Sequence, residues 1–349
     1  MNNDTNPWFH KRILITGVCG TVGSELLRQV LAQNPAEVIG LDNNESATFF
    51  LMEAYRNDPR VHLYLGDVRD RDKLMEKMRG IDIVLHVAAL KHVILCEQAP
   101  NDAVQTNIIG TQNVIAAART NKVSRVLLTS SDKAVNPTNV MGTSKLMCER
   151  LMTAANAFRR HNGPIFASTR FGNVLGSRGS VIPLFKKQIA HGGPVTLTHP
   201  EMSRFIMTLS EAVRLVMEST FLALGGEVFV TKMPAIHIAD LAKVMIELLA
   251  PRYGYDPDKI ELKVIGAKPG EKLYEELMNE EEVRRTIELP RYFVVLPAFK
   301  SIYDAINYSY RGQVGEATDQ AYNSAAVQPM SHNELKQYLT EHKLLEMEG

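Results

Sequence analysis

Residues 12–23 read RILITGVCGTVG, and residues 37–43 read EVIGLDN. The first stretch is a short β-branched run that ends in glycine. It is followed at once by the helical pattern SELLRQVLAQN. Gly17, Gly20 and Gly23 are spaced as GxxGxxG between that strand and that helix. Gly17 permits the tight turn, Gly20 lets the backbone approach a pyrophosphate, and Gly23 allows close helix-to-strand packing. Thr21 and Val22 complete the loop at a helix N-terminus, where N–H groups and the positive end of the dipole favour phosphate. Asp42, with Asn43 beside it, ends the next strand, where an acidic side chain binds an adenosine ribose. No arginine follows it in LDNNES, which favours NAD over NADP. A glycine turn without a ligand is the alternative, and Asp42 argues against it. Asp67, followed by Val68 in LGDV, is expected beside the adenine, or else is a solvated aspartate at a strand end.

Outward from that loop, the runs VHLYLGDV, IDIVLHVAA, SRVLLTSS and IFASTRFGNV alternate with helical patterns. Such alternation predicts βαβ units. Right-handed crossovers then give an α/β fold with a doubly wound parallel (Rossmann) sheet. A smaller α/β substrate domain is expected beside it. The expected division gives residues 1–175 and about 205–250 to the NAD-binding domain. About 176–204 and 251–349, with the C-terminal tail, form the substrate domain. The stretches SRGSVIPLF and GGPVTLTHPEMSRFIM read as loops and short strands. SEAVRLVMESTFLAL reads as a helix packed back on the sheet, and SHNELKQYLTEHKLLEMEG as a terminal helix.

The chain has 349 residues and 39 basic against 39 acidic side chains. A balanced charge gives no reason to expect nucleic acid or an anionic membrane as partner. Cys19, Cys96 and Cys148 are odd in number and far apart, which fits a reducing compartment better than disulfides or zinc. The start lacks the apolar core of a signal peptide, and no apolar run reaches the ~20 residues of a membrane helix. The expectation is a cytoplasmic protein with no membrane segment.

Residues 130–145, SSDKAVNPTNVMGTSK, look like a hydride-transfer site with one part exchanged. Lys145 stands where nicotinamide enzymes place a lysine. Four residues earlier, where many place tyrosine, there is Met141, whose thioether moves no proton. Ser131, Asp132 and Lys133 close a predicted strand, at the sheet edge that faces the cofactor crevice. The motifs GxxGxxG, GDV, HVAALKH, TSSDKAVNPTN and TRFGNVLGSRGSVIPLF resemble the extended short-chain dehydrogenase/reductase family. More narrowly they resemble its nucleotide-sugar 4,6-dehydratases of polysaccharide biosynthesis, which act mainly on UDP-N-acetylglucosamine. One branch of these is active with methionine in place of tyrosine. Several of its members carry a long membrane-anchored N-terminal region, and this chain is expected to be a free-standing catalytic domain.

The resemblance implies NAD as cofactor and a UDP-sugar as substrate. It implies oxidation at C4, loss of water across C5 and C6, and hydride return to C6. Lys133 is then the base at C5 and Asp132 the acid at the C6 hydroxyl. Burial favours the neutral states those roles need, whereas an ion pair between them favours the opposite states. Ser131 is left to relay the C4 proton, Lys145 to bond the nicotinamide ribose, and Met141 to line the sugar pocket. Ala88 joins the cofactor wall. Lys91 and His92 stand beside the substrate, although His92 also reads as a packed or capping histidine. Neither His86 with His92 nor any other motif suggests a metal.

For the nucleotide handle, the resemblance implies Asn173 and Arg204 on the diphosphate, Ser180, Val181 and Pro183 against the uracil, and Glu271 on the uridine ribose. An ion pair for Arg204 and a helix N-terminal acid for Glu271 are the alternatives. Relatives commonly assemble through helices of the first domain, so a homo-oligomer through helix 102–121 or the tail is expected. C4 or C5 epimerisation and a non-catalytic NAD-binding regulator stay open. So do the C5 configuration and the choice among UDP, GDP and TDP sugars.

Overall fold

The computed structural model describes residues 6–157, 163–177, 180–266, 270–303, 306–316 and 321–346. Residues 158–162, Arg178 and Gly179 of the SRGSV segment, and residues 267–269 lie outside the described residues. Two compact units emerge. The first comprises Met1–Phe171, Ala212–Thr231 and Glu280–Gln320, and the second Gly172–Glu211, Lys232–Asn279 and Ala321–Gly349.

In the first unit, strands β1 (Arg12–Thr16), β2 (Glu37–Asp42), β3 (Val61–Leu65), β4 (Ile83–His86), β5 (Arg125–Ser131) and β6 (Ile165–Phe171) pair in the order 3-2-1-4-5-6. Strand Val228–Thr231 follows β6, and all these neighbours are parallel. The order reverses between β1 and β4, the switch point at which such sheets bind ligands. Side chains alternate along each strand. Leu14, Ile39, Leu41, Val84, Val126, Leu128 and Phe166 therefore share one core. Helices α3 (Arg71–Lys77), α6 (Gly110–Thr120) and α7 (Val140–Ala154) close it with Leu74, Val114, Ile115, Cys148 and Met152. The alternate residues Ile13, Ile15, Val38, Ile83, Leu85 and Leu127 are buried as well, as expected of a sheet covered on both faces. Helix α1 (Thr21–Leu31) buries Leu26, Leu27 and Val30. Helix Leu209–Leu222 buries Val213, Leu215 and Val216, and Arg125 of β5 donates to the Thr220 and Ala223 carbonyls.

Beyond Val228–Thr231 the sheet turns antiparallel through Tyr292–Val295, Thr286–Glu288 and Gly315–Glu316. The expected domain division is thereby redrawn. Residues 280–320 extend the large sheet because Val228–Thr231 would otherwise be an open edge. Helix Ile238–Leu249, expected in the first domain, instead supplies Leu241, Val244, Met245 and Leu249 to the core of the second unit.

A buried charge cluster ties α7 to β6. Arg170 of β6 donates to both Glu149 oxygens at 2.9 and 2.7 Å and to both Glu282 oxygens at 2.7 Å. All three side chains are at most 2 % exposed. Burial alone would push the guanidinium down. The two carboxylates outweigh it and raise Arg170 above the ordinary value.

The long helix expected over 102–121 is interrupted. After α4 (Val93–Gln98) and α5 (Pro100–Ala103), residues Val104–Ile109 form a π-helical turn before α6 begins. A π turn frees backbone carbonyls from the helical ladder and often marks a functional position.

In the second unit, the VIPLF end of SRGSVIPLF, expected as loop or short strand, opens the helix Val181–Ala190. Pro183 is tolerated because it lies in the first turn, and Ile182, Phe185 and Ile189 fall on one buried face. Asn173–Val174, Ser203–Met207 and Ala235–His237 make a three-stranded sheet. Helix His332–Glu341, opened by the Ser331–Glu334 capping box, brings Leu335 and Leu339 to the same core. Among the described residues, no helix is long and apolar enough to cross a membrane.

Candidate active site

The glycine loop is built to receive an anion. The Gly17 N–H bonds the Leu41 carbonyl at 2.7 Å, which fastens the loop to β2. Gly17 has φ +71°, and a Cβ there would lie 2.7 Å from the Ala88 nitrogen. A Cβ on Gly23 would lie 2.1 Å from the Gly17 carbonyl oxygen. Either side chain would push the loop off the sheet. Helix α1 has Gly20 as its N-cap, with no side-chain cap and no acidic residue in its first turn, so no first-turn carboxylate shields its N–H groups. Thr21 and Val22 are half-buried in that turn. The Asp42 carboxylate accepts the Cys19 N–H at 2.9 Å and the Asn44 N–H at 3.0 Å, so it orders the loop as well as ending β2. These features fit a dinucleotide: an uncapped helix start, a cradle that admits no Cβ, and an acid at the end of β2.

Farther along the same edge the expectations are modified. Arg69 grips both oxygens of Asp67 at 3.0 and 2.7 Å, with Asn43 at 3.3 Å, and this pairing holds the Asp67 carboxyl at about 2. Val68 is not a cofactor wall by its side chain. That side chain is in the core beneath Gly110, where a Cβ would come within 2.7 Å of it, and its carbonyl takes Asn113. Lys91 and His92 are exposed. His92 occupies the N-cap of α4 without a side-chain cap bond, so it is neither packed nor capping through its ring.

Ser131, Asp132 and Lys133 do converge. The Ser131 hydroxyl donates to Asp132 Oδ1 at 2.6 Å, the Lys133 N–H reaches the same oxygen at 2.8 Å, and Lys133 Nζ lies 3.2 Å from it. Asp132 is 2 % exposed, and its Oδ2 is buried without a hydrogen-bond partner. Such an oxygen either carries a proton or awaits a ligand. Gly142 lets α7 start against this turn, since a Cβ there would lie 2.1 Å from the Lys133 carbonyl. Lys145, one turn on, is buried and donates to the Thr129 carbonyl at 2.9 Å. Burial pushes its ammonium down, while Cys148 and Glu149 act the other way. Met141 is 3 % exposed and packs with Cys96 and Ala103, which is a core position and not the wall of an open pocket.

In the second unit, Asn173 is half-buried on a short strand in register with Ile206. Ser180 is the N-cap of helix Val181–Ala190, yet its hydroxyl makes no cap bond and is buried without a partner. Val181 is half-buried, and Pro183 and Glu271 are exposed. Arg204 departs from expectation. Nη1 donates to the Ser203 and Leu273 carbonyls at 2.7 and 3.2 Å, Nη2 donates to the Lys272 carbonyl at 3.0 Å, and Nε lies 3.6 Å from Glu275. The guanidinium clips segment 272–275, and a diphosphate would compete with those carbonyls.

A family model described as "Polysaccharide biosynthesis protein" matches residues 13–297. The chain belongs to this family. It is 52 % identical over 84 % of its length to "Uncharacterized membrane protein MJ1061" of Methanocaldococcus jannaschii, covering 88 % of that protein. It is 44 % identical over 78 % of its length to the capsular polysaccharide biosynthesis protein CapD of Staphylococcus aureus, and spans only 46 % of that longer chain. The UDP-glucose 4-epimerase of Rickettsia felis is 37 % identical over 94 % of this chain and 95 % of its own. Among solved structures, Pen from Bacillus thuringiensis superposes with a TM-score of 0.89 at 41 % identity, over 97 % of this chain and 100 % of that one. The dTDP-glucose 4,6-dehydratase DesIV of Streptomyces venezuelae, solved with NAD and TYD, gives 0.65 at 25 % identity over 75 % and 86 %.

Within this polysaccharide-biosynthesis family member, three residues matter that sequence patterns did not single out. Gly142 seats α7. Asn107, in the π turn, holds Leu90 through both backbone groups and donates to Ser144 Oγ at 2.8 Å. His86 is buried between Thr16 and Thr111.

Proposed function

We propose that this chain is an NAD-dependent 4,6-dehydratase of UDP-N-acetylglucosamine, forming a UDP-4-keto-6-deoxy sugar for surface-glycan synthesis. The observation that carries the reading is the convergence of half-buried Ser131 and Lys133 on buried Asp132, whose Oδ2 is unpartnered. Simple alcohol oxidation has no use for an acid and an amine at one carboxylate. Dehydration has a use for both.

The glycine loop, α1 and Asp42 would hold NAD, which when bound supplies a reversible hydride acceptor. Ser131 takes the C4 hydroxyl proton and passes it across its 2.6 Å contact to Asp132. Lys133, as the free amine, removes the C5 proton. Asp132 protonates the departing C6 hydroxyl, which leaves as water. Lys133 then returns its proton to C5. The protons balance: the one from C4 leaves in water, and the one from C5 goes back. Before the C4 proton arrives Asp132 is a carboxylate and Lys133 a free amine; once it has arrived, the neutral pair the elimination needs and the ion pair their contact favours hold the same number of protons. They differ in which side of the 3.2 Å contact carries one. Lys145, buried beside Thr129, would bond the nicotinamide ribose and add positive charge where the C4 oxygen loses its proton.

The test is incubation with UDP-N-acetylglucosamine and NAD followed by mass spectrometry. Loss of one water is expected, abolished by Asp132→Asn and Lys133→Ala. Full-length similarity to a UDP-glucose 4-epimerase supports a second reading, epimerisation. Unchanged mass with a new retention time would select it and refute dehydration.

A further inference from the structure

His86 takes no part in the chemistry above, yet it joins the glycine loop's strand to the π turn. Its ring is 1 % exposed at the end of β4. Nδ1 lies 2.7 Å from Thr16 Oγ1, on the last residue of β1 before Gly17. Nε2 lies 3.2 Å from Thr111 Oγ1 on α6.

The proton positions follow from the partners. The Thr111 hydroxyl donates its one hydrogen to the Asn107 carbonyl at 2.6 Å. Toward His86 it can therefore only accept, so Nε2 carries the hydrogen. Thr16 Oγ1 accepts the Val87 and Ala88 N–H groups at 3.2 and 3.3 Å. Its own hydrogen then belongs to His86 Nδ1, which must be an acceptor. Every donor in the chain Thr16–His86–Thr111–Asn107 has one acceptor. A proton on Nδ1 would leave the Thr16 hydroxyl hydrogen without a place in this chain. The groups bonded to the ring are neutral, Thr16 of β1 at Nδ1 and Thr111 of α6 at Nε2, and the Thr129 hydroxyl of β5 lies 3.5 Å from the His86 backbone carbonyl. The charged group that acts on it is Lys145 of α7, and a second cation beside Lys145 would be repelled.

We propose that His86 is a positioning residue, locked as the neutral Nε2–H tautomer, that sets the Asn107 π turn against the end of β1. Asn107 in turn holds Leu90, next to Lys91, and Ser144, next to Lys145. The ring thus aligns the nicotinamide-side lysine with the cofactor loop without touching either ligand. The kinetic part rests on the dehydratase reading, and the spectroscopic part does not.

The test uses the full chain with 15N-labelled histidine, His86 being assigned by the loss of its signal in His86→Gln. Long-range 1H–15N spectra should show a neutral Nε2–H ring that does not titrate between pH 5 and 8. Thr111→Val should redistribute the tautomers, because it removes the hydroxyl that accepts from Nε2. For the dehydration, His86→Leu should lower kcat about 100-fold at little-changed KM, and His86→Gln, which keeps a donor and an acceptor, should recover most of the loss. An Nδ1–H tautomer, titration near the ordinary histidine value, or full turnover by folded His86→Leu would each overturn the proposal. If no sugar nucleotide turns over, the spectra alone decide it.

Discussion

Arg170→Met tests whether the buried charge cluster holds the first unit together. Methionine keeps most of the length of arginine and removes its charge. Four N–H···O bonds of 2.7–2.9 Å disappear, and two carboxylates at most 2 % exposed lose their shared counter-charge. Breaking one side of a buried pair costs about 3–5 kcal/mol, mostly because the other charge stays buried and unpaired. Trp8 is the chain's one tryptophan and packs edge-on against Phe221 at 4.9 Å, so its fluorescence reports unfolding of this unit. With a urea slope of about 3 kcal/mol per molar, the midpoint should fall by about 1 to 1.7 M. The triple variant Arg170→Met, Glu149→Gln, Glu282→Gln should regain much of the loss, because it leaves no buried charge uncompensated. An unchanged midpoint in folded Arg170→Met would refute the argument. So would a triple variant no better than the single one.

Gly23→Ala should abolish measurable NAD binding in calorimetry, because its Cβ would sit 2.1 Å from the Gly17 carbonyl and displace the cradle. His86 predicts an acid limb of stability. Burial, then Lys145, lowers it from 6.5 to about 3, so the unfolded chain binds a proton that the fold does not. Stability is complete above the unfolded value and is lost as pH falls toward the folded one, by about 2 kcal/mol at pH 5. Urea titrations at pH 5 and 8 should show that difference shrinking in His86→Gln.

The sheet was legible because its signals are local. A β-branched run, three glycines and Asp42 fall within residues 12–42, and each has one steric or electrostatic reason to be there. Ser131, Asp132 and Lys133 were legible for the same reason, being consecutive at a strand end. What escaped depends on partners far along the chain. The π turn at Val104–Ile109 is paired with Leu90 and Ser144 through Asn107, and no helical period records that. Tyr292–Val295 reads as a strand, but its place beside Val228–Thr231 is set by which edge lies open. SRGSVIPLF reads as loop and short strand, whereas the buried face at 182, 185 and 189 decides for a helix from Val181 onward. Arg204 has the right chemistry for a diphosphate, and only the carbonyls of 272 and 273 show what it already holds.

The exchange at position 141 connects packing to chemistry. Met141 lies on the first turn of α7 among Cys96 and Ala103, with Gly142 pressed onto the Lys133 carbonyl. A tyrosine there would need room for a larger ring and a partner for its hydroxyl. The neighbouring cluster offers apolar atoms, and the nearby ammonium of Lys145 already donates to Thr129. On the proposed mechanism the protic work has passed to residues 131–133, so nothing is gained by restoring the phenol. Met141→Tyr should therefore cost about 1–3 kcal/mol by overpacking and lower turnover. Met141→Leu, close in volume and equally unable to move a proton, should stay active at a cost below about 1.5 kcal/mol. Thermal shift and dehydration rates measured on both variants separate the two ideas. If Met141→Tyr were faster than the parent, the proton route would run through α7 and the assignment of Ser131 as relay would fall.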